Sequence, residues 1–243
     1  MSLKNVNVCL SPALLPFYEL EDTTAVVIDI FRASSSMCYG LANGARAIIP
    51  VAEIDECLAY KDKGYLLAAE RDGAVVAGFD FGNSPFSYTA EKVAGKTVVL
   101  TTTNGTRAIQ YCKNAKTVAI GSFLNIGALT HWLKNQDGNV LLVCAGWKNH
   151  MCLEDTVFAG AVVNRLQARG LTLDDAAHAA QSLYHTAQEN PALLANASHS
   201  KRMRHLHIEQ DIAFCLQEDV VATIPVMKNG ELVCLPSFIS AGQ

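Results

Sequence analysis

Five short apolar runs recur along the chain, and they limit what it can fold into more than any other feature. They are AVVIDI (25–30), AIIPV (47–51), TVVLT (97–101), TVAIG (117–121) and NVLLVCA (139–145). The runs are rich in β-branched residues and do not alternate with polar ones, which is typical of strands covered on both faces. Helix-like segments separate them, at 33–43, 52–63, 105–114, 125–136 and 153–169. This alternation predicts an α/β fold with three layers, α/β/α, around a mainly parallel or mixed sheet.

Two stretches of the chain repeat the same order of elements. The first begins at VVIDIFRASSS and the second at VVLTTTNGTRAI, so that Val26 aligns with Val98. In each stretch, an apolar strand leads through a polar loop and a short helix to a second apolar strand. We therefore predict a single α/β unit over residues 1–243, built from repeated strand–loop–helix units. The repeat also allows two subdomains with a cleft between them, divided near residues 95–125.

Three further segments have patterns of their own. Residues 64–96 are rich in glycine and other turn formers, which favours either a β-hairpin with a surface connection or an active-site loop that carries acids. Residues 171–210 are helical in pattern and end in a basic, histidine-rich patch. The tail VVATIPVMKNGELVCLPS predicts a hairpin that turns at Asn229–Gly230.

Composition excludes several classes of function. Charged residues make up only 17% of the chain and the net charge is −4, which argues against a general binder of nucleic acid or of membrane surfaces. No window has the apolar length of a membrane span, and the first residues do not resemble a signal peptide. The eight cysteines form no C-x-x-C pair, so we expect a reduced, cytoplasmic protein without a structural zinc site. The low charge content also predicts a homo-oligomer, most simply a dimer.

Candidate functional residues follow three of the predicted strands, because ligands of α/β sheets bind beyond the carboxyl ends of strands. The first loop holds Asp29, Arg32, Ser34, Ser35 and Ser36. The second holds Thr101, Thr102, Thr103, Asn104, Gly105, Thr106 and Arg107. The third holds Gly146, Trp147 and Lys148, and it leads to Glu154 and Asp155. Hydroxyls and an arginine beside a helix start are typical of an anion site, so the first two loops predict a phosphate cradle.

Each of these acids and loops also has a purely structural interpretation. A threonine-rich strand end is common as a helix cap, although the clustered hydroxyls, glycine and cation of TTTNGTR favour anion binding. Asp29 could only cap the following helix, yet an acid that ends an apolar strand is costly to bury without a partner or a function. The remaining acids could be a surface ion pair at Glu70–Arg71, an Asx turn at Asp80 and a favourable helix start at Glu154–Asp155.

Taken together, the anion cradle and the carboxylates indicate magnesium-assisted phosphoryl chemistry. Mg²⁺ prefers oxygen ligands and keeps several waters, so a few carboxylates suffice. The ion would offset repulsion between the acids and a phosphate group and would activate water. The ligands or the base are expected among Asp29, Glu70, Asp80, Glu154 and Asp155. Neither a GxxxxGK[ST] run nor a G-x-G-x-x-G run is present.

The basic cluster near the C-terminus is the remaining candidate. The segment SHSKRMRHLHIEQD contains His199, Lys201, Arg202, Arg204, His205 and His207. Because it has few apolar anchors, it is typical of a solvated helix face; the alternative is a second set of cations for an acidic substrate. We expect Arg107, fixed by the turn at Asn104–Gly105, to grip the phosphate, and the basic side chains of the cluster to stay solvated.

Several of these segments, in this order, resemble the 2-phosphosulfolactate phosphatase (ComB) family. They are VVIDIFRASSS, AAERDGAVVAGFDFGNSP, VVLTTTNGTRAI, IGSFLN, LLVCAGWKNHMCLEDTVFAGAVV and SHSKRMRHLHIEQDIAFC. The TTTNGTRA, FGNSP and LEDT runs are specific in combination. The resemblance implies an α/β fold with its site in a cleft. It also implies a magnesium-dependent hydrolase that converts 2-phosphosulfolactate into sulfolactate and phosphate, as in coenzyme M biosynthesis.

The loops and the resemblance together give a predicted site. The predicted catalytic residues are Asp29, Arg32, Arg107 and Glu154. The predicted substrate-binding residues are Ser34, Ser35, Arg71, Asn83, Thr103, Asn104, Gly105 and Thr106. The predicted Mg²⁺ ligands are Asp29, Glu70, Asp80 and Asp155. Which of the acids binds the metal and which acts as the base stays open.

Two other functions also stay open on the sequence alone. The loop CAGWKNHM is bulkier than the family's glycine-containing loop, and SKRM replaces a GRRL-like segment. Since specificity lies in such loops, the chain could hydrolyse a different small acid phosphoester. The altered loop also fits a non-catalytic module that binds phosphate or a sulfonate without hydrolysis. In each case the expected partner is a small anionic molecule and not a nucleic acid or a membrane.

Overall fold

The computed structural model of the chain describes residues 3–166, 171–206 and 208–235, within which eleven strands form one sheet. In chain order the strands are β1 (Leu3–Cys9), β2 (Thr23–Ile28), β3 (Ala47–Pro50), β4 (Leu66–Arg71), β5 (Ala74–Val75), β6 (Thr97–Thr101), β7 (Thr117–Gly121), β8 (Gly138–Cys144), β9 (Thr172–Leu173), β10 (Pro225–Lys228) and β11 (Glu231–Cys234). The five apolar runs form β2, β3, β6, β7 and β8. These strands are buried along nearly their whole length, which explains why their sequences do not alternate.

The same residues form ten α-helices. They are α1 (Ala33–Ala42), α2 (Ile54–Leu58), α3 (Ala90–Val93), α4 (Gly105–Tyr111), α5 (Ile126–Lys134), α6 (Leu153–Leu166), α7 (Asp175–Glu189), α8 (Ala192–Ala195), α9 (Ser198–His205) and α10 (Glu209–Cys215). The predicted helix over 52–63 is shorter than expected, because turns follow α2 and Asp62 has a left-handed backbone. Residues 167–169 of the helix predicted over 153–169 lie outside the described residues. No helix in the described part of the chain is long and apolar enough to cross a membrane.

The sheet consists of two parallel blocks joined by an antiparallel hairpin. Its strand order is β5-β4-β6-β3-β11-β10-β7-β2-β8-β1-β9. Neighbours from β4 to β3 are parallel, as are neighbours from β7 to β9. The hairpin β10–β11 lies between the blocks and pairs antiparallel with β7 on one side and β3 on the other. The predicted mixed α/β sheet is confirmed, and so is the hairpin that turns at Asn229–Gly230.

The repeated strand–loop–helix units exchange strands. The first unit is β2–α1–β3 and the second is β6–α4–β7. β3 pairs in parallel with β6 of the second unit, whereas β7 pairs in parallel with β2 of the first. Helices α1 and α4 contact each other. This exchange brings the loop after β2 to the loop after β6, although the two strands belong to different blocks.

Side chains of β2 alternate between two cores, which produces the three layers. Val26 packs in a buried cluster with Phe158 of α6 on one face of the sheet. Its neighbour Val27 belongs to the cluster of Met37 of α1 on the other face. This second cluster also contains Val98 of β6, so the α1 layer is buried against both parallel blocks.

Candidate active site

The loops that follow β2 and β6 are in direct contact. A Cβ atom on Gly105, the first residue of α4, would lie 2.6 Å from Oδ2 of Asp29 and 2.7 Å from Cβ of Ala33. Both separations are far shorter than van der Waals contact. Only glycine therefore allows the start of α4 to approach the start of α1 this closely, and the approach places Asp29 against the second loop.

A narrow pocket lies where these loops meet. Five residues of the predicted site line it: Asp29, Arg32, Glu70, Asn83 and Asn104. The other lining residues are Phe31, Gly73, Trp147, His199 and Met203. The space that they enclose is about 20 Å³, room for one water molecule or one metal ion. The pocket in this conformation is therefore smaller than a phosphoester.

Asp29 follows β2 directly and is buried in the wall of the pocket. Its Oδ1 accepts a long hydrogen bond of 3.4 Å from the amide of Ala33, so the side chain also caps α1. Burial is the main cause that raises the pKa of Asp29 from 3.8 to about 6. His199 opposes the shift, and the carboxylates of Glu70 and Glu154 add to it. Asp29 therefore changes its charge close to neutral pH.

Glu154 and His199 form a hydrogen-bonded pair next to Asp29. Nδ1 of His199 lies 2.6 Å from Oε1 of Glu154. Glu154 as a residue is only 1% exposed. The second oxygen, Oε2, is buried and has no hydrogen-bond partner among the described residues. Leaving a buried carboxylate oxygen unpaired is costly, so Oε2 is the natural contact point for a cation, a water or a ligand group.

Asp155, the next residue on α6, has both carboxylate oxygens occupied by the backbone. They accept hydrogen bonds from the amides of Ile30, at 2.9 Å, and Gly146, at 3.0 Å. Burial raises the pKa of Asp155 well above its usual range; the charges of Glu154 and Asp29 add to the shift, and the two backbone hydrogen bonds oppose it. Asp155 therefore ties the loop after β8 to the loop after β2, and it is not among the residues that line the pocket.

Glu70 connects the β4–β5 hairpin to the loop after β6. Its carboxylate accepts hydrogen bonds from the amide of Gly73 and from the amide and hydroxyl of Thr103, the last two at 3.2 and 3.3 Å. Glu70 also lines the pocket. The β-hairpin expected in residues 64–96 is present, and the segment's acid Glu70 reaches the pocket.

Arg32 is a buried cation in the pocket wall, and it is held on two sides. One Nη atom pairs with Asp211 of α10, and the other donates a hydrogen bond of 2.8 Å to the carbonyl oxygen of Gly73. Asp211 also accepts a hydrogen bond of 3.0 Å from the hydroxyl of Ser84. Asp211 was absent from the predicted site, since a lone acid on a helix has no distinctive sequence pattern. The pair fixes the orientation of the guanidinium, which is the requirement for binding an anion at a defined place.

Both other arginines of the predicted site lie away from the pocket. Arg107 is 46% exposed, and its guanidinium pairs at 2.8 Å with Glu53 on the surface. Arg71 donates to the backbone carbonyls of Glu70 and Ala52 and to the hydroxyl of Thr101. Neither residue is among those that line the pocket, and both guanidinium groups have other partners.

The predicted hydroxyl cradle is used mainly inside the loops. Ser34 and Ser35 donate to backbone carbonyls of the loop after β2, at 2.8 and 3.1 Å. Thr102 and Thr106 exchange hydrogen bonds across the start of α4. Asp80 accepts a backbone amide of β4 at 2.8 Å, which is a structural role. These residues shape the loops, and none of them lines the pocket.

Helix α9 differs from the expected solvated face. Lys201 and Arg204 are exposed, but the guanidinium carbon of Arg202 lies 4.5 Å from the centre of the Trp147 ring, and His199 lines the pocket. The prediction that the basic side chains of the cluster stay solvated is therefore wrong for Arg202. The available signal was the helical spacing of His199, Arg202 and Met203, which places them on one face. His207 of the same cluster lies outside the described residues.

Donor atoms for a metal ion are of two kinds. Oε2 of Glu154 and Oδ1 of Asn83 are buried oxygens without partners in the described part of the chain, and with Asp29 they fit the preference of Mg²⁺. Separately, Cys152, Glu154 and His199 offer ligand atoms within 4.8 Å of one another. Thiol and imidazole donors suit zinc and related metals better than magnesium. Burial, with nearby carboxylates adding to the effect, raises the pKa of the Cys152 thiol, so the thiol is neutral unless a metal deprotonates it.

Buried carboxylates and a fixed arginine beyond the strand ends of a mixed α/β sheet form a site suited to a small anionic ligand. A family model described as 2-phosphosulpholactate phosphatase matches residues 9–230. The chain belongs to this family, and with it to the phosphoric monoester hydrolases.

Three relatives support the same assignment, and each is named "Probable 2-phosphosulfolactate phosphatase". The one from Thermotoga maritima is 42% identical over 221 residues, covering 90% of this chain and 96% of the relative. The one from Clostridium acetobutylicum is 37% identical, covering 88% and 94%. The one from Clostridium tetani is 34% identical, covering 93% and 98%. The family expected from the motifs is therefore confirmed over most of the chain.

Proposed function

We propose that this protein is a magnesium-dependent phosphatase that hydrolyses 2-phosphosulfolactate to sulfolactate and phosphate, the reaction type of coenzyme M biosynthesis. One observation carries the proposal: buried Asp29 lines one pocket with the fixed cation Arg32 and with His199, which is paired to the buried Glu154, in a chain of this family. The pocket thus combines groups for binding a phosphoryl anion with groups for moving a proton. The names of the relatives support the choice of substrate.

Asp29, Glu154 and Asn83 are the residues that would hold Mg²⁺. The free oxygens of Glu154 and Asn83 support this set, and so does the raised pKa of Asp29, because a cation would relieve the uncompensated negative charge there. When bound, the ion would neutralise phosphate charge and lower the pKa of a bound water.

His199 is suited to carry the proton during hydrolysis. In this reaction the water oxygen bonds to phosphorus, the ester P–O bond breaks, and a proton leaves the water and is returned to the departing alkoxide. Glu154 holds Nδ1 of His199, so Nε2 is the nitrogen left to exchange a proton in the pocket. Arg32 would stabilise the charge on the phosphoryl oxygens. We propose direct attack by water, so an acid-quenched reaction should contain no phosphorylated protein by intact mass.

The decisive test is phosphate release from 2-phosphosulfolactate by metal-stripped protein with and without added Mg²⁺. Sulfolactate should appear by mass spectrometry in equal amount, and His199→Gln should reduce turnover on the order of a hundredfold, the scale of a lost proton-transfer group. Parallel assays with Mn²⁺ and Zn²⁺ test whether a metal suited to the ligand atoms of Cys152, Glu154 and His199 supports the reaction better than Mg²⁺. If no metal supports phosphate release from this or another small phosphoester, the proposed function is wrong.

We also propose that the protein is a cytoplasmic homodimer. Exposed apolar side chains in and beside the 3₁₀ helix Pro12–Phe17 support self-association: Leu14 is 41%, Phe17 84% and Tyr111 55% exposed. Light scattering at micromolar concentration should give twice the 26.1 kDa of one chain, and a particle of single-chain mass would contradict the dimer.

A further inference from the structure

Helix α9 presents one face to the pocket and the opposite face to solvent. His199 and Met203 line the pocket, and Arg202 lies on the same face because residues three and four apart are neighbours on a helix. Lys201 and Arg204 are exposed. Of Lys201, Arg202 and Arg204, only Arg202 therefore lies on the face of the helix that is turned toward the pocket.

Arg202 is half-buried, and part of its guanidinium lies buried against Trp147. It stacks on Trp147, with its carbon 4.5 Å from the ring centre, and Trp147 itself lines the pocket. Nε and Nη2 are buried, yet neither has a hydrogen-bond partner among the residues that the structure describes. Both nitrogens are donors that lose their hydration on burial, so the arrangement is costly unless an anion binds there.

Two acids of the site have other partners: Asp211 pairs with Arg32, and Oε1 of Glu154 pairs with His199, while Oε2 of Glu154 has no hydrogen-bond partner among the described residues. Arg202 has no ion pair within the described residues. The contact with Trp147 positions the guanidinium, and its Nε–Nη2 edge makes no hydrogen bond to the described residues. Such an edge can bind two oxygens of one anion.

We propose that Arg202, held by Trp147, binds the second anionic group of the substrate, a carboxylate or a sulfonate, while Arg32 and the acids serve the phosphoryl group. This inference rests on the proposed function and deepens it. Arg202 is then the residue that selects phosphoesters with a second anion close to the phosphate. It acts on binding and selectivity and takes no part in breaking the ester bond.

The test compares four substrates with metal-loaded wild type, Arg202→Gln and Arg202→Lys. The substrates are 2-phosphosulfolactate, 2-phospholactate, the phosphate ester of 2-hydroxyethanesulfonate, and ethyl phosphate. Arg202→Gln should lower kcat/KM on the order of 10- to 100-fold, mainly through KM, for each substrate that carries the anion Arg202 binds. For ethyl phosphate, kcat/KM should change by less than about threefold in Arg202→Gln. Arg202→Lys should restore part of the loss seen with the other substrates. The two substrates with one extra anion identify whether that anion is the carboxylate or the sulfonate.

Arg204→Gln is the matched control, because Arg204 lies on the same helix and is exposed. Arg204→Gln should change kcat/KM by less than about twofold relative to wild type for all four substrates. Equal losses on ethyl phosphate and on the doubly anionic substrates would overturn the inference, and so would a similar loss in Arg204→Gln. If Arg202→Gln does not fold, the comparison is made with Arg202→Lys alone, which should then lose selectivity partially.

A binding experiment separates this inference from the proposed function. Calorimetry and tryptophan fluorescence with sulfolactate and with 2-hydroxyethanesulfonate need no turnover. Binding that weakens at least about tenfold in Arg202→Gln supports the anion subsite even if no phosphatase activity is found. Turnover by wild type combined with anion binding unchanged in Arg202→Gln would leave the phosphatase intact and reject the subsite.

Discussion

The loops after β2 and β6 are equivalent in the two exchanged units, but they carry their cations at different places. With Val26 aligned on Val98, both helices begin seven residues later, at Ala33 and Gly105. Arg32 is the residue immediately before α1, and it lines the pocket, as does Asn104 at the same place before α4. Arg107 is instead the third residue of its helix and points to the surface.

The difference shows that position relative to the helix start decides which arginine enters the site. The side chain of the residue before the helix points toward the pocket. The side chain of the third helical residue points to another side, because each helical residue is rotated about the helix axis relative to the one before it. Two loops with the same residue types can therefore have different roles. One supplies a buried cation, and the other supplies a glycine that allows close contact.

Arg32→Gln should have the largest effect of any single change in the two loops. It removes a cation from the pocket and leaves Asp211 buried without its ion pair. We expect kcat/KM to fall on the order of a hundredfold or more and the free energy of unfolding to fall by about 3–5 kcal/mol. Urea denaturation and phosphate-release assays measure the two effects. Asp211→Asn, which keeps Arg32, should show a smaller loss of activity; an equal loss would mean that Arg32 only supports the fold.

Asp29→Asn should change how stability depends on pH. The folded protein binds the Asp29 proton more tightly than the unfolded chain, with a pKa of about 6 against 3.8. The stability contributed by Asp29 is therefore complete below the unfolded pKa and is lost as pH rises through about 6. In EDTA, Asp29→Asn should be more stable than wild type at pH 8 by on the order of 2–3 kcal/mol, and this advantage should be much smaller at pH 4.5. An advantage of the same size at both values in urea titrations would contradict the raised pKa.

Gly105→Ala should separate the two loops. The added methyl would lie 2.6 Å from Oδ2 of Asp29, so either the loop or the carboxylate must move. We expect a loss of about 1–3 kcal/mol in stability and roughly a tenfold loss in kcat/KM. The double variant Asp29→Ala, Gly105→Ala should recover part of the stability, because it removes the clash with the Asp29 carboxylate and leaves only the one with Ala33. Strictly additive losses in the double-mutant cycle would argue against the close contact.

Arg107→Ala should have the smallest effect. Its guanidinium pairs with Glu53 at an exposed position, where an ion pair contributes about 0–1 kcal/mol. We therefore expect kcat/KM to change less than about threefold, in contrast to the hundredfold loss that the TTTNGTR run suggests when read without the structure. A loss near a hundredfold would show that Arg107 leaves Glu53 and reaches the substrate.

Much of the fold could be predicted because a strand that is buried on both faces has a recognisable sequence. β2, β6 and β8 are buried on both faces, so their sequences are continuous apolar runs. Asp29 could be predicted as a site residue because an acid at the end of such a run is unusual. Arg107 was assigned to the anion site because a difference of three positions from the helix start is not visible without the helix boundary.

The residues of α9 and α10 could not be placed in the same way. His199 and Arg202 lie on the polar helix α9, whose sequence is typical of a solvated element, and Asp211 is a lone acid near the start of α10. Only the docking of these helices over the loops makes Asp211 a partner of Arg32 and Arg202 a partner of Trp147. Contacts between segments more than fifty residues apart in the chain depend on the whole fold.

The hairpin β10–β11 sets the order in which the protein can be completed during synthesis. Residues 225–234 are made after the nine other strands of the described sheet, yet they fill its centre between β7 and β3. Until they leave the ribosome, both blocks of the nascent chain have an open edge that can pair with other chains. A chain terminated before these residues would therefore lack the strands that join its two blocks. It would expose two sheet edges to which chaperones can bind.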